Sequence, residues 1–380
     1  MLRVGFNAYL LADGNRRGWN RYTVNLLAAL PAQGVRPVLY TRAPLHPDHL
    51  ARLPPGSYEL RLAPPMRYVL WENLWLPRQL RRDRIDLFHC PMNFGLPWST
   101  PCPRLLTLHD AIDPAYYLRQ APWRERWSWS ALRLRWTLWS CRSRAHHILT
   151  VSRHAREDLV RVLGVPPEKV SVIYEAADPQ FQCRMETEAV RAVLAQWGLE
   201  RPYFLYAGGW EGRKNVLFLL EAFAQAALPQ TELVLAGGTA PQQQALRALA
   251  EKLGGPAQVR LLGFVPDAVL HALYAGALAF VYPSRYEGFG LQLCEAMAVG
   301  CPVLAARATA LPEILGDGGA TFALDSPQEL IGLLRQVAAD PDYRRQLQQR
   351  AQQRSQHFSW QKTAQETVQI YHQLLQRKSL

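Results

Sequence analysis

The chain has no closely paired cysteines. Its six, Cys90, Cys102, Cys141, Cys183, Cys294 and Cys301, fall singly without CxxC spacing, which implies no zinc site and fits reduced thiols in a cytosolic protein. Long apolar runs are lacking too. The longest, Ala272 to Tyr282, is far short of the ~18–20 residues that span a bilayer. The chain opens directly on the strand-like LRVGFNAYLL, with no apolar signal region, so neither secretion nor membrane integration is expected. There is no low-complexity tract and no repeat of solenoid period. What remains is a globular composition, 49% hydrophobic and 19% charged over 380 residues, long for one core and ample for two domains. Acidic residues are scarce in the first half: residues 1–190 hold 26 Lys and Arg against 16 Asp and Glu, and the remainder 17 against 15. Nearly all of the net charge of +12 therefore lies in the first half. Such a surface suits nucleic acid, anionic lipid or a phosphorylated substrate, and arginine-rich composition alone also produces it.

Short apolar runs alternate with helical patterns twice over. LRVGFNAYLL, PVLYT, LFHC, LLTLH, HILTVS and VSVIY are the strand candidates between Leu2 and Tyr174, and YFLYAG, ELVLAG, VRLLGF, LAFVYP, PVLAA and ATFAL follow from Tyr203. This is the βαβ rhythm of parallel sheets. The expected fold class is α/β, with two Rossmann-like domains facing a cleft. The boundaries are a first domain over 1–178, a second over 179–357 and a closing helix over 358–380, with Glu175 to Pro179 as hinge. Ser359 is the candidate N-cap of that helix, in which Trp360, Ala364, Thr367, Tyr371 and Leu374 fall at helical spacing.

The densest signal is SRYEGFGLQLCEAMAVGCPVL, Ser284 to Leu304. An apolar run ends in a loop where Gly288, Phe289 and Gly290 let the backbone turn into a helix starting near Leu291, with Gly300 as its C-cap. A helix N-terminus offers unpaired N–H groups and a positive dipole end to a phosphate or hydroxyl. Glu287 sits in the loop and Glu295 two turns on, and carboxylates suit vicinal hydroxyls; on ordinary usage, Glu295 is a solvated helix position. YAGGWEGRKN, Tyr206 to Asn215, joins a strand to a helix through Gly208 and Gly209, and presents Arg213 and Lys214 as adjacent cations for a diphosphate. Such a pair is otherwise solvated surface. His109 and Asp110 follow a strand in LLTLHDAIDP, and His89 and Asn93 end the previous one in HCPMN; packing or backbone hydrogen bonding is the plain alternative for each histidine.

Taken in order, these motifs resemble the retaining glycosyltransferases of family four, which have the two-Rossmann-domain GT-B fold, and the resemblance covers nearly the whole chain. It implies a nucleotide-diphosphate sugar as donor, GDP- or UDP-linked with GDP-mannose among the candidates, and hexose transfer to a glycan or lipid-linked acceptor in cell-surface polysaccharide synthesis. The protein would be cytoplasmic, on the inner face of the membrane if peripheral. By resemblance, Glu287 binds sugar hydroxyls, Glu295 the ribose, Arg213 and Lys214 the leaving diphosphate, and His109 contacts the sugar near the reacting carbon. Asp110 orients His109 or touches the acceptor, and His89 and Asn93 border the acceptor pocket. Gly18, Gly208, Phe264, Val265, Gly288, Phe289, Gly290 and Leu291 belong to the donor site. No metal, cofactor or nucleic acid is implied. The chain departs from the family at Gly209, where arginine is frequent, and at Asn20, where a second glycine is common. A GT-B phosphorylase, a sugar-nucleotide epimerase and a non-enzymatic nucleic-acid binder using the basic half stay open as alternatives.

One segment supports two readings. Between Pro122 and His147 lie Trp123, Trp127, Trp129, Trp136 and Trp139, interleaved with Arg124, Arg126, Arg133, Arg135, Arg142 and Arg144. This mixture suits the headgroup region of an anionic bilayer. Equally, Trp129, Leu132, Trp136 and Trp139 recur at helical spacing as the core face of an ordinary helix would.

Overall fold

The computed structural model describes residues 1–14, 18–112, 115–116, 129–252 and 258–376, with the backbone alone at 129–131, 133, 134 and 141. The chain divides into two compact units, one of Met1–Glu175 with Ser359–Leu380 and one of Ala176–Phe358.

The first unit is built on a parallel sheet of β1 (Leu2–Asn7), β2 (Val35–Thr41), β3 (Glu59–Leu62), β4 (Leu87–Cys90), β5 (Arg104–Thr107), β6 (His147–Thr150) and β7 (Val170–Val172). Their order is β3-β2-β1-β4-β5-β6-β7. The second unit has β8 (Tyr203–Ala207), β9 (Glu232–Ala236), β10 (Val259–Gly263), β11 (Ala279–Tyr282), β12 (Val303–Ala306) and β13 (Ala320–Phe322). These are also all parallel, in the order β10-β9-β8-β11-β12-β13. The middle strands read as continuous apolar runs because helices cover both faces of each sheet. All four residues of β4, of β6 and of β11 are buried, and a fully buried side chain such as Phe88 or Phe280 contributes roughly 1.5–3 kcal/mol.

β3 is the strand that the apolar pattern passes over. Two of its four residues, Glu59 and Arg61, are charged, and as one of the two edge strands it is half exposed. Its stability comes from an ion-pair network as well as from burial: Arg3 pairs with Glu59 at 2.8 Å, and Arg61 with Glu59 at 2.6 Å and Asp83 at 3.1 Å. Charge on an edge strand also discourages pairing with another chain.

Helices connect the strands. Those that matter below are α1 (Gly18–Ala29), α2 (Trp129–Arg144), α3 (Val216–Ala226), α4 (Leu291–Val299) and α5 (Trp360–Gln376). α5 belongs to the first unit and is capped by Ser359, whose Oγ accepts from Lys362 N at 3.2 Å. It buries Trp360, Ala364, Thr367, Tyr371 and Leu374 along one face. Thr363 Oγ1 donates to Tyr174 O at 2.7 Å, and the Trp360 ring meets that of Tyr22 at 5.9 Å.

In α2 the core-face reading of the tryptophan stripe fails. Leu132, Trp136 and Trp139 point outward, the two tryptophans 53% exposed, while Leu138 and Ser140 are buried. The helix is apolar on both sides, so periodicity alone did not decide which side packs. Of the other residues in that stretch, Trp123, Trp127, Arg124 and Arg126 lie outside the described residues, as do the side chains of Trp129 and Arg133.

In each sheet the winding reverses beside the first strand, between β1 and β4 and between β8 and β11. Open α/β sheets bind ligands outside the carboxyl ends of their strands at such a switch point. Most of the candidate residues lie on the strands beside these two places or on the loops that follow them, whereas His109 and Asp110 follow β5 and Phe264 and Val265 follow the edge strand β10.

Candidate active site

In the second unit two loops leave the switch point side by side. After β8 the chain passes Gly208 at φ 150, makes a single turn over Gly212–Lys214, and enters α3 through Asn215 at φ 56. A Cβ on the neighbouring Gly237 would stand 2.1 Å from Gly208 O, so backbone packs directly on backbone here. After β11 the chain reaches Gly290, whose φ of 103 turns it into α4. The loops are stitched together. Arg285 N donates to Arg213 O at 2.7 Å, Arg285 Nε to Asn215 Oδ1 at 3.1 Å, and Arg213 Nη1 to Tyr286 O at 3.0 Å.

This brings three charges together. Lys214 Nζ donates to Glu287 Oε1 at 2.7 Å, and Arg213 Nη1 stands 3.0 Å from the same oxygen. Lys214 and Glu287 are buried, and Glu287 N donates to Thr309 Oγ1 at 2.9 Å. Burial alone would raise the Glu287 carboxyl, but Lys214 and Arg213 outweigh it and hold the group below the ordinary carboxylate range. Lys214 also donates to Tyr282 Oη at 3.2 Å and lies 5.3 Å from that ring's centre. Two cations against one carboxylate leave a positive remainder on the loops that lead into α3 and α4, which is a setting for a polyanion. The reading of Arg213 and Lys214 as solvated surface does not hold.

The other second-unit candidates are scattered in burial. Glu295, on α4, is 1% exposed, with Tyr274 Oη donating to its Oε2 at 3.4 Å, so the solvated-helix reading is overturned. Phe289 is buried against Phe358 at 6.0 Å. Phe264 is 72% exposed, whereas its neighbour Val265 is core. Gly288 and Leu291 lie in the loop and at the first position of α4.

In the first unit His109 lies just past the end of β5 with both ring nitrogens engaged. Its Nδ1 lies 2.9 Å from Glu175 Oε1 and its Nε2 3.1 Å from Pro91 O. Both partners accept, which is the pattern of an imidazolium donating twice. Burial works against that charge, but the hydrogen bond and charge of Glu175 outweigh it, with help from Pro91 O and Asp110, and raise the His109 pKa. Tyr22 and Trp19 of α1 pack on the ring at 4.7 and 6.5 Å. Asn93 Oδ1 accepts from His109 N at 2.9 Å and so fixes the backbone there. Asp110 Oδ1 accepts from Ile112 N at 3.1 Å, shaping the next turn.

His89 does not border an open pocket. It is fully buried, with Nδ1 2.7 Å from Tyr371 Oη and Nε2 2.8 Å from Thr107 Oγ1, so it fastens α5 to the sheet. Burial, aided by His109, lowers its pKa to about 3 and keeps it neutral. Gly18 is the first residue of α1 and Asn20 is buried within that helix, while residues 15–17 of the preceding loop lie outside the described residues.

Glu175 was missed in the sequence, where it counted only as part of the hinge. Its signal was weak: a carboxylate following an apolar strand, with its partner 66 positions away. The prediction for Glu175→Gln concerns pH. A raised histidine pKa adds stability that is full below the unfolded value of about 6.5 and lost as pH rises through the folded value. The wild type should therefore lose stability on the alkaline side, and the variant should show a flatter curve in urea melts from pH 6 to 9. Parallel curves would count against the charged pair.

Among the described residues, no group of three or more His, Cys, Asp or Glu is placed to hold a metal ion, and no helix is long and apolar enough to cross a membrane.

Comparison with known proteins identifies the family and the fold. A family model described as glycosyl transferases group 1 matches residues 194–354, and one for glycosyltransferase family 4 matches residues 16–181. The chain is 33% identical over 307 residues to the O-antigen chain mannosyltransferase B of Escherichia coli, covering 79% of this chain and 72% of that one. It is 29% identical over 291 residues to the serotype-specific mannosyltransferase WbdA of Escherichia coli, but this match spans only 34% of that longer protein. Among solved structures, HepE of Anabaena in complex with UDP-glucose superposes with a TM-score of 0.77 at 19% identity, covering 98% of this chain and 100% of that one. WaaG, a glycosyltransferase involved in lipopolysaccharide biosynthesis, gives 0.74 at 19% identity over 97% and 99%. The chain belongs to glycosyltransferase family four, an enzyme of GT-B fold that transfers sugar from a nucleotide-sugar donor.

Proposed function

We propose that this enzyme transfers a hexose with retention from a GDP- or UDP-sugar, GDP-mannose first among them, to a glycan or lipid-linked acceptor in cell-surface polysaccharide synthesis. The observation that carries the chemistry is the buried Lys214–Glu287 pair with the partly buried Arg213 beside it, at the switch point of the second sheet. The mannose and surface-polysaccharide parts rest on the likeness to the O-antigen chain mannosyltransferase.

Departure of the nucleoside diphosphate builds negative charge, and prealigned cations and amides stabilise it without reorganisation. Lys214, Arg213 and the amides at Gly290 and Leu291 take that role, with Gly208 supplying close backbone approach. Glu287 accepts from the sugar hydroxyls and Glu295 serves the ribose. The exposed Phe264 and the backbone at Val265, Gly288 and Phe289 complete the donor side, to which we also assign Gly18. His109 is the first-unit residue we assign to catalysis, with Asp110 and Asn93 on the acceptor side. The reaction as drawn uses no metal, and the enzyme acts on the cytoplasmic side of the membrane.

A thermal-shift panel of nucleotide sugars tests this reading. A donor at ~100 times its Kd stabilises the folded protein by about 2.7 kcal/mol, so GDP-mannose should raise Tm by several degrees. A rise with UDP-glucose alone would replace the mannose assignment, and no rise with any nucleotide sugar would overturn the donor site.

A further inference from the structure

The first unit carries an exposed aromatic face far richer than solvation requires. Trp98 is 57% exposed, and Trp136 and Trp139 of α2 are 53% exposed. The rings of Trp98 and Trp136 are 5.8 Å apart, so the loop after β4 and the outer stripe of α2 form one surface. The surface continues onto the helical segment Tyr68–Leu70 and Trp71–Trp75: Asn73 Oδ1 accepts from Trp98 N at 3.0 Å. On that segment Val69, Leu70 and Leu74 are 66%, 50% and 47% exposed. Lone exposed apolar residues are ordinary, but a contiguous group of this kind marks an interaction site.

Cations frame the face. The Arg144 guanidinium lies 4.8 Å from the centre of the Trp98 ring. A cavity of about 480 Å3 beside Trp98 is lined by Cys102, Arg104, His146 and Leu374 among others. Arg104 Nη1 donates to Trp98 O at 2.9 Å, and nothing among the described residues accepts from its buried Nε. Glu72, on the neighbouring turn, offsets this charge only in part, since burial pushes its carboxyl up to about 7 against the pull of Arg144.

From this juxtaposition we infer that the face of Trp98, Trp136, Trp139, Leu70 and Leu74 docks on an anionic bilayer surface, with Arg104 at the cavity receiving a lipid phosphate. Indoles settle at the headgroup level with ring buried and N–H wet, aliphatic side chains sit beside them, and guanidinium groups meet phosphates bidentately. The concentration of basic residues in the first half supplies the long-range attraction. The inference deepens the acceptor half of the proposed function, because an acceptor held in a bilayer is reached from a surface-bound enzyme.

Co-sedimentation with vesicles of phosphatidylcholine, alone or with phosphatidylglycerol, is the test. The wild type should bind the anionic vesicles, release as salt rises past physiological strength, and show blue-shifted tryptophan emission. Trp98→Ser with Trp136→Ser should weaken binding roughly tenfold or more, as removal of buried apolar anchors does, and Arg104→Gln should reduce it separately. Far-UV circular dichroism and the donor thermal shift, both unchanged, keep folding and donor binding apart from docking. Equal failure to bind either vesicle, binding untouched by the tryptophan pair, or a dimer that the pair dissolves without any vesicle binding would each overturn the inference. A normal donor shift in those cases would leave the transferase reading standing.

Discussion

Replacing Lys214 by alanine is expected to lower turnover by about 10²-fold or more, the loss that follows removal of a positioned electrostatic donor. The structure adds a reason to expect a clean result. Glu287 keeps Arg213 at 3.0 Å when Lys214 is gone, so the carboxylate is not left uncompensated and the loop retains its other ties to Tyr286 and Asn215. Turnover should therefore fall much further than stability. Initial rates of transfer at saturating donor, read beside a urea melt, separate the two. A chelator should leave wild-type activity intact; loss of activity that magnesium restores would move the leaving-group role from Lys214 to a metal. Near-wild-type turnover in the variant would remove Lys214 from the mechanism.

Glu287→Gln should lower transfer ~10–100-fold, since charge-assisted hydrogen bonds of this kind are worth about 1.5–3 kcal/mol. Nucleoside diphosphate binding should hold or tighten, because Lys214 and Arg213 then face the ligand without their carboxylate. A loss of transfer without a loss of diphosphate binding is the signature of a sugar-binding carboxylate, and equal losses in both would point to a purely structural pair. The pH dependence has a definite sign. The folded pKa of Glu287 is depressed, so its contribution to stability is present above the unfolded value of about 4.3 and lost as pH falls through the lower folded value. Acid melts below pH 4.5 should be steeper for the wild type than for the glutamine variant. Removing one partner of a buried pair also costs up to about 3–5 kcal/mol at neutral pH, so rates need to be measured well below the variant's Tm.

The sequence by itself determined the strands of both sheets except β3, and it located the loops that carry Lys214 and Glu287. Apolar runs of strand length followed by glycine turns report local backbone preference, which depends on near neighbours alone. β3 escaped because an edge strand buries little and Glu59 and Arg61 break its apolar pattern. Tertiary structure alone decided the partnerships. Lys214 and Glu287 are 73 positions apart, and His109 and Glu175 are 66 apart. The pairing of β8 with β11 makes neighbours of the first two loops, and the run β5-β6-β7 brings the segments after β5 and β7 to one edge of their sheet for the second pair. The same holds for His89, whose bonds to Thr107 and Tyr371 turned an expected pocket residue into a fastening for α5. It holds also for α2, where apolar residues on both sides left periodicity without a direction. Packing against the sheet chose Leu138 for the interior and left Trp136 and Trp139 to the solvent. A chain's pattern fixes what each segment becomes, and contacts between distant segments fix which side chains meet, because that depends on the path of the whole chain through the fold.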